Sequence, residues 1–543
     1  MNYFYNNIST IILVLSLSLC VQSCKDLTEL NENPNGVPEE KANADLILST
    51  VLTETASTYT DLGYQDAAGV MQHTQKDAWF SGHNSYDWGP RDWGNYYSML
   101  RNNQTVYKKA VENDMEFHQG VSLVMKSFIY AQITDLWGDA PYGNALKGDL
   151  GGDENISPDY DTQEAIYQGI IADLKEASQL LSGSKNSYPE IFAETEKADV
   201  IYNGDPAKWQ KFANSLLLRY LMRISEKTDV SSDFADIVQN QPLFESNADN
   251  ALMNFPGSNE RSSWPKNTVF DGTDGSDFRR IRPAETLVEA LREREDPRIG
   301  VWFAEVEIPT RISDEYPHNE IVNGVRYLHA DQVDESQVNT NPDYVGIPTQ
   351  MTTPSGYNLN PTPGQTSNNP FVSYLNDRYR AASGPLLNAR LMTYAELNFL
   401  LAEAAHKGWL AADAEGYYNA GVRASLEEWE VGDQADTYLN QQTVAYDGSL
   451  ERIMKQKWIA SWTATQEAWF DYRRTGLPDL ETGVAAPRDA LPLRFQYGSN
   501  ELNFNPENVN AAIERLESTQ FSQGEENSQW DKMWILAGTG KPY

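Results

Sequence analysis

Cysteine is nearly absent from the chain: Cys20 and Cys24 are the only two in 543 residues. Both lie within the first 24 residues. If processing removes Cys20 and a lipid is attached to Cys24, the folded part contains no thiol at all. Disulfides, thiolate zinc sites and cysteine nucleophiles are then excluded. A chain of this length can be held together by burial of its core instead.

Basic side chains are also in short supply. The chain has 42 Lys and Arg against 78 Asp and Glu, which gives a formal net charge of −36. None of these charges lies in residues 1–24, so the rest of the chain is a strong polyanion. Nucleic acid is disfavoured as a partner because phosphate binding needs clustered Lys and Arg. Other polyanionic ligands are disfavoured for the same reason, unless a local basic patch overrides the global field.

Catalytic and cofactor motifs are missing as well. The sequence contains no P-loop, no G-x-S-x-G elbow, no H-E-x-x-H helix and no phosphate-binding glycine loop. With 78 carboxylates, some pair falls at glycosidase distance by chance, so a two-carboxylate mechanism cannot be argued from sequence. The histidines show no metal-ligand spacing; they are His73, His83, His118, His318, His329 and His406. We predict no cofactor and no metal.

One acidic run keeps a calcium alternative open. Asp271, Asp274 and Asp277, in DGTDGSD, are hard oxygen ligands of the kind that calcium prefers. The run lacks the EF-hand spacing and its closing Glu, so a solvated turn is the favoured interpretation.

The longest apolar run is too short to cross a membrane. It covers twelve residues from Ile8 to Leu19, and spanning about 30 Å of hydrocarbon takes about 20 residues. We therefore predict a signal peptide over residues 1–23. Val21-Gln22-Ser23 before Cys24 resembles a bacterial lipobox, which predicts lipidation of Cys24; simple secretion is the alternative. Residues 24–42 are predicted to be the lipidated cysteine and a flexible tether.

Helical patterns dominate the chain from residue 43 onward. Val121 to Leu136 carries an apolar residue at each i, i+3, i+4, i+7 position, and Trp137-Gly138-Asp139 ends this helix. A hairpin over residues 393–429 has the small-residue and aromatic spacing of tetratricopeptide repeats. Further helices are predicted at 161–181, 206–224 and 450–474. The fold class is predicted to be mainly α, a degenerate tetratricopeptide-like scaffold of helical hairpins with long irregular loops and a few short strands.

Cap residues mark where three of these helices begin. Asp161 is predicted as an N-cap with Glu164 in the reciprocal position. Asp205-Pro206 places a cap before a proline at the first helical position. Thr393 and Glu396 form a predicted capping box.

One long region interrupts the helical pattern. Residues 254–282 and 306–383 are rich in Pro, Gly, Asn and Ser, and residues 342–370 alone hold six prolines and three glycines. Irregular stretches of this length inside a domain are usually functional loops. We predict a single domain over residues 43–543 with a loop-rich insertion at about 254–383.

The best candidate for a ligand site is an aromatic loop at residues 79–97, which holds seven aromatics, three glycines and one proline. Flat rings beside polar side chains suit sugars, which present apolar C–H faces next to hydroxyls. The alternative is that the rings anchor a long loop to the scaffold. The predicted ligand-binding residues are Trp79, Tyr86, Trp88, Trp93, Asn84, Asp87 and Arg91.

Several segments, taken in order, resemble the SusD/RagB family, the surface lipoproteins of nutrient-uptake systems in Bacteroidota. The similarity covers the chain from the signal peptide to about residue 510 and is strongest to the SusD-like branch with a DPAKW-type helix. The matching segments are LNENPNGVPEEKANADLIL, QITDLWGDAPYGNA, SPDYDTQEAIYQGIIADL, YNGDPAKWQKFANSLLLRYLMRIS, LMTYAELNFLLAEAAHKGW and QKWIASWTATQEAWFDYRRTGLPDL.

The resemblance implies a function. It implies four tetratricopeptide-like hairpins docked on a SusC-like TonB-dependent transporter, and a surface that binds oligosaccharides, or peptides in some members. It implies a lipid-anchored protein at the cell surface of the outer membrane, and capture and delivery of ligand without bond chemistry. Two alternatives from other classes are a secreted helical glycoside hydrolase and a helical-repeat scaffold with no small ligand.

Overall fold

The computed structural model describes residues 43–270, 275–364 and 368–543. The predicted signal peptide, the lipidation of Cys24 and the tether fall outside these residues, as do Asp271 and Asp274. Ala44–Tyr543 forms one unit. No helix among the described residues is both long and apolar enough to cross a membrane.

Helices make up most of the regular secondary structure among the described residues, which confirms the mainly α prediction. In chain order they are α1 (Ala44–Tyr64), α2 (Asp66–Val70), α3 (Ser81–Asn84), α4 (Gly94–Glu112), α5 (Glu116–Trp137), α6 (Asp153–Ile156), α7 (Gln163–Leu180), α8 (Ala193–Ala198), α9 (Pro206–Ile224), α10 (Ser231–Asn240), α11 (Ser276–Arg280), α12 (Glu285–Arg292), α13 (Ile299–Trp302), α14 (Tyr394–His406), α15 (Ala414–Glu428), α16 (Ala435–Leu439), α17 (Leu450–Ala460), α18 (Thr465–Thr475), α19 (Ser499–Phe504) and α20 (Pro506–Glu514). Neighbouring helices pack in pairs, notably α4 on α5, α5 on α7 and α14 on α15.

The strands are short and join distant parts of the chain. They are β1 (Thr74–Lys76), β2 (Pro90–Arg91), β3 (Ala251–Asn254), β4 (Ile281–Pro283), β5 (Thr310–Ile312), β6 (Glu320–Val322), β7 (Val325–Leu328), β8 (Asn388–Met392) and β9 (Gln496–Tyr497). β1 pairs antiparallel with β4, β2 parallel with β9, and β3 antiparallel with β8. β7 lies between β5 and β6 in a three-stranded sheet.

The α5 helix lies inside the scaffold. Its apolar stripe was predicted to cover one face, but nearly every side chain from Phe117 to Trp137 is buried. The helix is enclosed because α4 and α7 both pack against it. Gly138 ends it with φ of +101°, a conformation that glycine adopts without steric cost.

The caps are partly as predicted. Asp205 Oδ1 accepts from the backbone N–H groups of Ala207 and Lys208 at 3.0 and 3.3 Å, and proline follows it. The cap of α7 is Thr162, not Asp161, since the Thr162 hydroxyl accepts from Ala165 N. Asp161 instead binds the turn after α5, where its Oδ2 accepts from the backbone N–H groups of residues 142 and 143.

The predicted single helix over residues 450–474 is wrong, because α17 ends at Ala460 and α18 begins at Thr465. Thr463 between them has φ of +71°. A close approach of α1 to this break explains it: a Cβ on Gly63 would lie 2.6 Å from the Thr463 carbonyl oxygen. The Thr465 hydroxyl donates to the Gly63 carbonyl across the same contact.

A buried arginine organises the loop-rich insertion. Arg326 on β7 is fully buried and donates to the carbonyl oxygens of Asn358 and Leu359 at 2.6 and 3.0 Å. It also donates to the Thr310 hydroxyl at 2.8 Å and lies 3.5 Å from the centre of the Phe371 ring. None of these partners is a carboxylate, and burial lowers the pKa of Arg326 to about 10.

An ion network joins four helices in the core. Arg223 on α9 pairs with Asp135 on α5 and with Glu467 on α18. One turn earlier on α9, Arg219 pairs with Glu396 on α14 at 2.6 Å. Burial raises the pKa of Glu467, but Arg219 and Arg223 outweigh this effect and hold that pKa below its ordinary value. Because these charges have left water, each depends on its partner.

Arg223→Met tests this dependence. The substitution removes the close cation from two buried carboxylates and leaves Glu467 only Arg219, and Asp135 only Arg473, each at 3.7 Å, so we expect it to lower the free energy of unfolding by about 3–5 kcal/mol. The matched control is Lys175→Met, which removes an exposed pair with Asp233 at 3.4 Å and is expected to cost less than about 1 kcal/mol. Urea unfolding followed by tryptophan fluorescence gives both values. Equal losses in the two variants would contradict the network's role.

His73 makes stability depend on pH. Its ring is fully buried beside Trp458 and Trp462, and burial lowers its pKa to about 3. The unfolded chain takes up a proton near pH 6.5 that the folded chain does not bind, so stability falls as pH drops from about 6.5 towards 3. We expect His73→Phe to remove about 2 kcal/mol of the decline between pH 6.5 and 4.5. Exposed His406→Phe is the control, and unfolding curves across this range that fall equally in both variants and the parent chain would contradict the assignment.

Candidate functional site

The β1–β4 pairing brings the start of the aromatic loop to a segment about 200 residues later in the chain. Lys76 lies opposite Ile281 in this pairing, and Asp77 N donates to the Arg280 carbonyl at 3.1 Å. Trp79 follows two residues later and lies beside the Arg280 side chain. We call this region the Trp79 surface and define it by Lys76, Trp79, Lys266, Asp277 and Arg280.

Trp79 is the most exposed ring of the loop. Its side chain is 66% exposed, and its backbone has φ of +53°. A bulky residue in this left-handed region carries a strain of about 1–3 kcal/mol, and such strain concentrates at ligand sites. The Arg280 guanidinium lies 5.8 Å from the centre of the ring, within cation–π range. The indole is therefore held in solvent with one cation beside it.

Charges of both signs surround the ring. Asp277 pairs with Lys266 at 3.2 Å and with Arg280 at 3.6 Å. Burial lowers the pKa of Lys76, Lys266 lowers it further, and Asp277 opposes the shift. The surface thus combines a flat ring, hydrogen-bond donors and a carboxylate.

Three of the predicted ligand-binding residues have buried side chains, which counts against direct contact with a ligand. Tyr86 is 0%, Asn84 1% and Trp93 4% exposed. The Asn84 amide both accepts from Lys76 N and donates to Lys76 O at 2.8 Å, which fixes the loop to β1. Trp93 packs edge-on against Trp137 with ring centres 5.6 Å apart. These three side chains anchor the loop, and their part in ligand binding stays a prediction.

The other three predicted residues lie between core and solvent. Trp88 is partly buried, with its ring centre 4.9 Å from that of Phe495. Arg91 pairs with Asp66 at 2.6 Å, and its guanidinium lies over Phe495. Asp87 is exposed. The structure therefore does not bring the seven predicted residues together on one surface, and only Trp79 among them belongs to the Trp79 surface.

Sequence reasoning missed the residues that accompany Trp79. Arg280 and Lys266 come from the insertion, where no motif marks them. The cue in the sequence was the richness of residues 254–282 in loop-forming residues, but its pairing with β1 required the fold. Asp277 was considered as a calcium ligand; it is ion-paired with two cations instead. Among the described residues, no group of three His, Cys, Asp or Glu side chains is arranged to hold a metal.

The fold has many solved relatives. An outer membrane protein from Bacteroides vulgatus, for which a role in nutrient binding has been suggested, is 27% identical with a TM-score of 0.69, covering 91% of this chain and 100% of its own. A SusD homologue from Bacteroides fragilis is 23% identical with a TM-score of 0.70 and the same coverage of both chains. A chitin-binding protein is 24% identical with a TM-score of 0.71, again covering 91% and 100%.

Sequence comparison identifies the family itself. No curated protein matches the chain. The SusD-like family model, described as starch-binding and associating with the outer membrane, matches residues 34–498. This match covers most of the chain and agrees with the helical architecture, so the protein belongs to the SusD-like family of outer-membrane nutrient-binding proteins.

Proposed function

We propose that the protein is a cell-surface lipoprotein, anchored through Cys24, that captures oligosaccharides and delivers them to a SusC-like TonB-dependent transporter. On this proposal it binds ligand and breaks no bonds. Family membership supports nutrient binding at the outer membrane. The observation that carries the glycan assignment is Trp79, a 66% exposed indole held in a strained conformation beside Arg280.

The chemistry of the Trp79 surface supports a neutral glycan in particular. A sugar ring can lie on the indole through its C–H face while its hydroxyls donate to Asp277 and accept from Lys266 and Arg280. Each of these cations already contacts Asp277. A neutral ligand therefore gains hydrogen bonds without having to displace a carboxylate, whereas an anion meets a chain of net charge −36.

The delivery step is supported by the family match and by the exposure of the candidate site. A receptor that releases its ligand to a transporter needs a binding surface open to solvent, and the exposed ring of Trp79 provides one. Trp79→Ala leaves the scaffold intact on this proposal, because most of the ring lies in solvent.

We expect Trp79→Ala to weaken glycan binding about tenfold or more, since a tryptophan at the centre of a site contributes about 2 kcal/mol. Isothermal titration calorimetry with oligosaccharides from starch, chitin, xylan, mannan and galactan measures the change. Phe504→Ala, which removes a 77% exposed ring outside the Trp79 surface, is the matched control and should bind as the parent does. Both variants should keep the parent melting temperature.

Two results would count against the proposal in different ways. Unchanged affinity in Trp79→Ala would reject the Trp79 surface while leaving glycan binding intact. Release of reducing ends from any of these polysaccharides by the purified protein would instead favour a glycoside hydrolase.

A further inference from the structure

A second concave region lies in the insertion, outside the Trp79 surface. It is an open cleft of about 540 Å³ between α12 and the loop at residues 336–342. Small-molecule sites in proteins commonly measure about 300–1,000 Å³. The lining residues are Glu285, Arg292, Ser336, Val338, Asn339, Thr340, Asn341, Pro342 and Tyr357.

One wall of the cleft is a face of α12 that carries charges of both signs. Glu285 and Arg292 are seven residues apart, so they lie two turns apart on the same side of the helix. Glu289 between them accepts from Arg292 Nη1 with both carboxylate oxygens, each at 2.7 Å. This contact fixes the guanidinium at the edge of the cleft and neutralises its charge.

Glu285 is an oriented hydrogen-bond acceptor. The Tyr357 hydroxyl donates to Glu285 Oε1 at 3.3 Å, and the Tyr357 side chain is itself 9% exposed. Burial raises the pKa of Glu285. A carboxylate can accept about four hydrogen bonds, so most of the acceptor capacity of Glu285 remains for a ligand that donates.

The opposite wall supplies donors. Asn341 uses its Oδ1 to accept from Asp343 N and Tyr344 N at 2.9 and 2.8 Å. These two contacts orient the amide and leave its NH₂ group to donate. The Thr340 side chain lies nearby and is exposed. Donors on one wall therefore face an acceptor on the other across an open space of about 540 Å³, which has room for a sugar residue.

We propose that this cleft is a second ligand site, which takes one neutral sugar residue through its hydroxyl groups. Adjacent hydroxyls of a sugar both donate and accept, which matches Glu285 and Arg292 on the α12 wall and Asn341 on the loop wall. An anionic ligand is disfavoured because Glu289 already neutralises Arg292 and Glu285 adds a negative charge. Among the lining residues the only aromatic ring is Tyr357, which is mostly buried, so the cleft offers no exposed ring for stacking of the kind that Trp79 provides.

This proposal rests on the proposed glycan function, and its test is therefore made with Trp79 removed. Saturation-transfer difference NMR is recorded for full-length Trp79→Ala protein with D-glucose, D-galactose, D-mannose, D-xylose and N-acetyl-D-glucosamine. We expect a signal from at least one of them. Adding Thr340→Trp, which fills the cleft from an exposed position, should abolish that signal. Adding Thr352→Trp, at an exposed threonine of the same insertion that does not line the cleft, should preserve it.

Glu285→Gln provides a variant that keeps the volume of the side chain. It replaces a charge-assisted hydrogen bond with a weaker neutral one, so we expect the monosaccharide affinity to fall about tenfold. The melting temperature of each variant shows that the chain is folded.

Three outcomes support or overturn the proposal that the cleft is a ligand site. Loss of the signal with Thr340→Trp and its retention with Thr352→Trp support the cleft. An unchanged signal with Thr340→Trp, or no signal from any of the five sugars, overturns it. Either of these leaves the proposed function standing when the parent protein binds oligosaccharides through Trp79; that function fails only when the parent binds no glycan in calorimetry.

Discussion

The contact on which the scaffold depends is the bridge that Arg223 makes between Asp135 and Glu467. These three side chains come from α9, α5 and α18, and all three are buried away from water. Their desolvation is offset only when all three helices dock in one register. Apolar packing would tolerate small shifts between helices, whereas this bridge does not, so it selects a single arrangement of the core.

The fixed core explains why the side chains of the aromatic loop have different roles. Trp93 and Tyr86 fill space against the scaffold, and Asn84 fastens the loop to β1 through the backbone of Lys76. With those anchors in place, Trp79 can remain in solvent in a backbone conformation that a loose loop would relax. The buried rings anchor the loop, and this leaves the ring of Trp79 exposed to solvent.

Much of the scaffold could be predicted because local chemistry decides it. Periodicity located the α5 helix, and Asp205 caps α9 as its sequence indicates. The Thr393 box shows where local reasoning ends: Thr393 caps α14, but the carboxylate of Glu396 pairs with Arg219, 177 residues away. A tertiary ion pair took the place of a local hydrogen bond.

The candidate site was less predictable, because it too depends on contacts between residues far apart in the sequence. Aromatic content located the loop at residues 79–97, but a ring in a loop and a ring in a core have the same sequence signal. Only the structure shows that Trp79 is exposed whereas Trp93 is buried. Only the structure shows, too, that the β1–β4 pairing brings Arg280 to Trp79.

Arg326 shows how buried hydrogen bonds to the backbone allow the side chains at the surface to vary. It holds the insertion by the backbone oxygens of Asn358 and Leu359, and every residue type carries that oxygen. At Leu359, which is exposed, a change of side chain leaves this acceptor in place, so the surface at this point of the insertion can vary while the hydrogen bond to Arg326 is kept.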